Sequence, residues 1–129
     1  MFTQVIEPRF SETDALGHIN NTVFAVWFEA CRTPVFRIFT PDLNVTQWPL
    51  IIAKVTLEFH AQTQYGENVE ILTQISRLGG SSFDVYQEAW QNGIKCVSGT
   101  AVMVQFDYQS QTTKALSPDI RAALQQHAI

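Results

Sequence analysis

The stretch from Thr22 to Phe39 constrains the fold more than any other part of the chain. Thr22, Ala25, Glu29 and Arg32 recur at spacings of three and four, which places them in one narrow polar or small-residue stripe on a helix. The remaining circumference carries Val23, Phe24, Val26, Trp27, Phe28, Ala30, Cys31, Val35, Phe36, Ile38 and Phe39. A helix apolar on most sides must be buried on most sides, so the rest of the chain has to wrap it. Asn20 and Asn21 stand where side-chain acceptors cap a first turn. Thr33-Pro34 predicts a kink or a restart, because proline lacks the backbone donor and pushes the preceding residue out of the helical region.

The wrapping material is legible downstream. From Leu50 to His60 the residues alternate, with Ile51, Ala53, Val55, Leu57 and Phe59 on one face and Lys54, Thr56, Glu58 and His60 on the other. Tyr65-Gly66-Glu67-Asn68 reads as a turn and Val69 to Leu78 as the next strand. Gly79-Gly80 breaks it, and Ser81 to Gln91 is a further strand with Phe83, Val85 and Ala89 on one face. Asn92-Gly93 is a hairpin signal, since both centres of a type I′ turn need positive φ. Ile94 to Asp107 is a long strand with Gly99 as a candidate bulge. Phe2 to Phe10 reads as a strand at the start, and Ser117 caps a short helix from Pro118 to His127. The order is one strand, one apolar helix, then four long strands joined by antiparallel turns. Such a chain is α+β, with a curved antiparallel sheet around one long helix.

Bulk properties narrow the function. A single domain over residues 1–129 is expected from the length. Eight Lys and Arg residues against twelve Asp and Glu give a net charge of −4, with no basic face for nucleic acid. No run approaches the roughly 18 apolar residues of a membrane span. The first residues show neither the basic region nor the apolar run of a signal peptide. Cys31 and Cys96 lack any CxxC spacing and read as two free thiols. The expectation is a cytoplasmic protein that binds neither nucleic acid nor membrane.

The segment Thr13-Asp14-Ala15-Leu16-Gly17-His18-Ile19-Asn20-Asn21, followed by Phe24 and by Glu29-x-x-Arg32, resembles the signature of the 4-hydroxybenzoyl-CoA thioesterase family and its acyl-CoA thioesterase relatives. Tyr65-Gly66-Glu67 resembles that family's Gly-Asp turn with Glu for Asp, and Leu78 to Phe83 resembles the segment that opens its third strand. The resemblance implies the hotdog fold, in which the sheet wraps the helix. So small a sheet leaves edges and one side of the helix uncovered, so self-association as a homodimer or a dimer of dimers is expected. Two departures bear on the substrate rather than the fold. Asn20-Asn21 stand where some members carry Tyr-His, and Ala61-Gln62-Thr63-Gln64 replaces a proline-containing turn.

Thioester hydrolysis needs a nucleophile or general base, donors aimed at the developing oxyanion, and a held substrate. By resemblance Asp14 is the acid that attacks the carbonyl or activates water. Gly17, His18, Asn20 and Asn21 lead into a helix start, whose unpaired N–H groups suit an oxyanion. Outside the resemblance, each has a plainer role: Asp14 as a turn former, His18 as a loop residue and the asparagines as caps. Glu29 either lines the site, as the resemblance implies, or forms a surface pair with Arg32. Gly80, Ser81 and Ser82 are candidates for holding CoA, from a neighbouring subunit, or simply begin a strand. Trp27 and Phe28 read as core, and His60 as surface. The substrate expected is an acyl-CoA, with no cofactor and no metal. The other functions considered are an acyl-carrier-protein thioesterase, an acyl-thioester hydratase and a non-catalytic acyl-CoA binding module.

Overall fold

A computed structural model describes residues 1–129. Its strands are β1 (Phe2–Ile6), β2 (Leu50–Phe59), β3 (Val69–Leu78), β4 (Ser82–Gln91), β5 (Ile94–Asp107) and β6 (Thr112–Thr113). Its helices are α1 (Val23–Ala30), α2 (Thr33–Phe39) and α3 (Pro118–Gln125). The first strand is shorter than its sequence suggests, ending before Pro8, and Phe10–Glu12 forms a 3-10 turn instead. The sheet is antiparallel in the order β1-β3-β4-β5-β2, with β6 beside the far end of β5. It curls around the α1–α2 segment in the hotdog arrangement.

The order of strands is not their order in the chain. Although a turn joins β2 to β3, β2 crosses over and pairs with β5, leaving it at the sheet edge. Asn92 and Gly93 do turn β4 into β5 with φ of 53° and 74°, as a type I′ hairpin requires. Gly99 is not a bulge, because its pairing with both Leu57 and Gln87 is in unbroken register. It is needed for a close approach: a Cβ there would lie 2.7 Å from Leu57 Cδ2, 2.8 Å from the Thr56 carbonyl oxygen and 3.1 Å from Phe28 Cε2. The irregularity in this pair falls at Ala53, between Ile52 and Lys54. It breaks the single alternating face: Leu50 and Ile52 pair with the inward Gln105 and Met103, whereas beyond it Val55 and Leu57 pair with Ala101 and Gly99.

Two apolar clusters fill the curl. One packs Phe24, Trp27, Phe28 and Cys31 of the α1 segment against Val69, Ile71, Ala89 and Val97. The other packs Val35 of α2 and Leu124 of α3 against Ile75, Phe83, Val85, Ala101 and Met103. The helix breaks at Cys31 and Arg32, just before Pro34. Buried side chains take up the carbonyls freed there. Gln87 Nε2 donates to the Phe28 carbonyl at 2.9 Å and to Thr73 Oγ1 at 3.1 Å, while Thr73 Oγ1 donates to the Cys31 carbonyl at 3.4 Å. Arg32 Nη1 donates to Gln87 Oε1 at 3.2 Å, setting a cation at the negative end of α1. Arg32 is therefore buried, 5 % exposed, and does not continue the solvent-facing stripe of Thr22, Ala25 and Glu29. It forms no ion pair with Glu29, so the surface pair expected from their spacing is absent. Burial pushes the Cys31 thiol up to about 11, which leaves it unreactive at neutral pH.

Candidate active site

Asp14 sits in the loop between the 3-10 turn and α1, and that loop is tied down by its own backbone. The Asp14 N–H donates to the His18 carbonyl at 2.7 Å, and Ile19 N–H to the Thr63 carbonyl at 2.8 Å. One carboxylate oxygen, Oδ1, accepts from Leu16 N–H at 2.7 Å and His18 N–H at 3.1 Å. These bonds aim the side chain and leave Oδ2 without a protein donor. Gly17, at φ 81°, supplies the left-handed turn that lets the chain fold back over Asp14.

A second tie holds this loop against the helix. Glu12 is buried, its Oε1 accepting from Arg9 N–H at 2.7 Å and its Oε2 from the Trp27 indole at 2.8 Å. The Asn20 N–H donates to the Glu12 carbonyl at 2.9 Å. Burial pulls the Glu12 carboxyl upward, yet the Arg9 backbone, the Trp27 indole and the Arg9 side chain together hold it below the ordinary carboxylate value. Sequence reasoning misses this carboxylate. Its only signal there is a polar residue two positions before Asp14, which does not reveal that Trp27 waits for it.

The turn that leads into α1 is held by Asn20 rather than Asn21, and the capping position itself is Thr22, without a side-chain cap. Asn20 Oδ1 accepts from Thr22 N–H at 3.0 Å and Thr22 Oγ1 at 2.8 Å, and its carbonyl accepts from Val23 N–H at 3.0 Å. Asn21 is exposed and makes no side-chain hydrogen bond. The backbone N–H groups of Phe24 and Ala25 have no acceptor in the protein. Asp14, Asn20, Asn21 and Phe24 line one open cleft of about 640 Å³, closed opposite by Phe59, His60 and Thr63. The cleft thus combines a carboxylate, the start of α1 and aromatic walls. A carboxylate beside a helix start is an arrangement that can act on a polarised carbonyl.

The other candidates lie elsewhere. His18 contributes its backbone to Asp14 but its side chain is outside the cleft lining, as is Gly17. Glu29 lies farther along α1, beside a separate crevice with Arg32. Gly80, Ser81 and Ser82 sit at the opposite end of the sheet, where Ser81 accepts from Gln105 N–H at 2.8 Å and Gly80 from Leu116 N–H at 2.9 Å. Since β2 spans ten residues at about 3.3 Å each, the two ends of the sheet are about 30 Å apart within one chain. His60 is exposed as expected, and also borders the cleft with its Nε2 2.8 Å from Ser98 Oγ. Thr63, fully buried with its hydroxyl unpartnered, is a cleft residue that the loop sequence does not mark. No three His, Cys, Asp or Glu side chains gather as a metal site. No helix is long and apolar enough to cross a membrane.

Residues 8–124 match the model of the thioesterase-like superfamily. A predicted thioesterase from Bacillus stearothermophilus is 42 % identical, with a TM-score of 0.95 over 99 % of this chain and 96 % of that one. A thioesterase from Thermus thermophilus, solved in complex with coenzyme A and Zn, is 25 % identical, with a TM-score of 0.84 over 96 % of this chain and 91 % of the other. The uncharacterized protein YsmA of Bacillus subtilis (strain 168) is 30 % identical over 110 residues, 84 % of this chain and 75 % of that protein.

Proposed function

The chain belongs to the thioesterase-like superfamily, and on that premise we propose that it hydrolyses acyl-CoA thioesters with Asp14 as nucleophile or general base. The observation that carries this reading is the Asp14 carboxylate itself. One oxygen is held by two N–H groups and the other is free, in a cleft with the unpaired N–H groups at the start of α1. As the carbonyl becomes tetrahedral, its oxygen gains charge that those N–H groups and the helix dipole stabilise. Collapse of that intermediate expels the CoA thiolate. In the general-base route the proton taken from water by Asp14 passes to the thiolate. In the nucleophilic route water hydrolyses an Asp14 anhydride. The coenzyme A bound in the Thermus thermophilus structure supports CoA as the carrier of the acyl group.

A second copy of the chain completes the site in this proposal. Strand β2 is an unpaired edge, and Ile52, Val55 and Phe59 on it are about half exposed, with Ala25 of α1 beside the first two. An edge this apolar is covered in a stable protein. Antiparallel pairing of β2 with its own copy would bring the Gly80–Ser82 turn of that copy towards the Asp14 cleft, where it could hold the CoA arm.

The test is thiol release from acyl-CoA esters by the wild type and by Asp14→Asn. Asn keeps the shape and loses the charge, so turnover is expected to fall by roughly 10²-fold to 10⁴-fold with an unchanged fold by circular dichroism. Turnover near the wild-type rate would remove Asp14 from the chemistry.

A further inference from the structure

Arg32 is the one cation among the buried residues, and it makes no direct ion pair, the exposed Glu29 acting on it only through space. Nη1 donates to the neutral Gln87, and Nε is buried with no partner at all. The guanidinium borders a crevice of about 130 Å³ whose other walls include Ala25, Phe28, Val55, Leu57 and Gly99. The charged groups around it are few. Glu29 borders the same crevice but is exposed and makes no ion pair, and Asp and Glu are absent from the β2 and β5 residues that line it.

The crevice is separate from the cleft but borders the same helix and the same strand. Phe24 and Phe59 wall the Asp14 cleft and meet edge to face, with ring centroids 6.1 Å apart. One turn farther along α1 and two residues back along β2, Phe28 and Leu57 wall the crevice, and Arg32 closes it. Eight residues separate Phe24 from Arg32, about 12 Å at the helical rise. An extended chain covers that distance in about ten bonds. An acyl chain running from the Asp14 cleft to the Arg32 guanidinium would pass between the rings of Phe24 and Phe59 and then along Phe28 and Leu57.

We propose, resting on the acyl-CoA reading above, that Arg32 selects acyl groups of medium length that end in a carboxylate. A carboxylate at that end supplies the planar acceptor that an arginine fork pairs with best. A methyl end leaves the buried cation as unpaired as it is now. Arg32 touches the far end of the acyl group and takes no part in bond breaking.

The experiment compares kcat/KM of the wild type for matched pairs: adipyl- with hexanoyl-CoA, suberyl- with octanoyl-CoA and sebacyl- with decanoyl-CoA. The expected result is a preference of at least about tenfold for the carboxylate-ended ester at one or more lengths, as a site built around a polar partner discriminates. In Arg32→Gln that ratio should collapse towards one. Preference for the methyl-ended ester at every length, or a carboxylate preference that survives in Arg32→Gln, would overturn the proposal. Calorimetric binding of free suberate against octanoate by the wild type gives a readout independent of turnover and of whether Arg32→Gln folds. Suberate binding without hydrolysis of any ester would sink the thioesterase reading, and acyl selection with it, while upholding the carboxylate contact at Arg32. Suberate binding only in Glu29→Gln would show that Glu29 of a second copy occupies Arg32, and would sink this one alone.

Discussion

Strands β4 and β2 carry the same alternating pattern and meet opposite fates. In β4 the inward residues Phe83, Val85, Gln87, Ala89 and Gln91 are all buried. In β2 the inward Leu50 is buried and Leu57 half-buried, but Ile52, Val55 and Phe59 remain 47 %, 46 % and 52 % exposed. The difference lies in position, since β4 has neighbours on both sides and both apolar clusters beneath it, whereas β2 is the edge and overhangs α1. Apolar alternation thus predicts which face a strand turns inward, and sheet position decides whether anything lies there to receive it. The bare face lies along the same side of the molecule as the Asp14 cleft and the Arg32 crevice.

The largest effects should separate these two strands. Phe83→Ala empties a fully buried position and should cost about 3–5 kcal/mol in denaturant unfolding. Val55→Lys should leave the unfolding of the isolated chain within about 0.5 kcal/mol of wild type, because its site is open to solvent. Its effect should appear in sedimentation, as dissociation of a dimer, together with loss of turnover. Equal unfolding costs for the two variants, or an unchanged sedimentation coefficient for Val55→Lys, would break the comparison.

A smaller effect belongs to the seam between edge and core. Gly99→Ala puts a methyl against Leu57, the Thr56 backbone and Phe28, and should destabilise by about 1–3 kcal/mol through overpacking. A neutral result would mean that β2 shifts readily, and that the edge is looser than its register implies.

The smallest effect concerns Glu12, a polar group that does have cover. Glu12→Gln should cost about 1 kcal/mol near neutral pH, measured by chemical denaturation. The folded state holds this carboxyl below 4.5, so its stabilisation is complete above the unfolded value and fades as pH falls through the folded one. The gap between wild type and Glu12→Gln should therefore close in acid. A gap that is independent of pH would assign the loss to packing rather than to the charge.

What the sequence by itself determined is local. The Asn92-Gly93 hairpin, the Ser117 cap of α3, the break before Pro34 and the turn around Asp14 all rest on interactions within a few residues. Turn chemistry and capping act at that range, so residue order is enough to read them. The apolar helix likewise declared that something must surround it. Only the tertiary structure decided which strand became the edge, where β2 would slip by a residue, and which cleft residues would face Asp14. Gln87 lies 55 residues beyond Arg32 and holds it inside, and Trp27 reaches Glu12 across 15 residues. A spacing of three between Glu29 and Arg32 carries no trace of that, because burial depends on what the rest of the chain places alongside. The sheet turned an expected surface cation inward and left half of an expected core face bare.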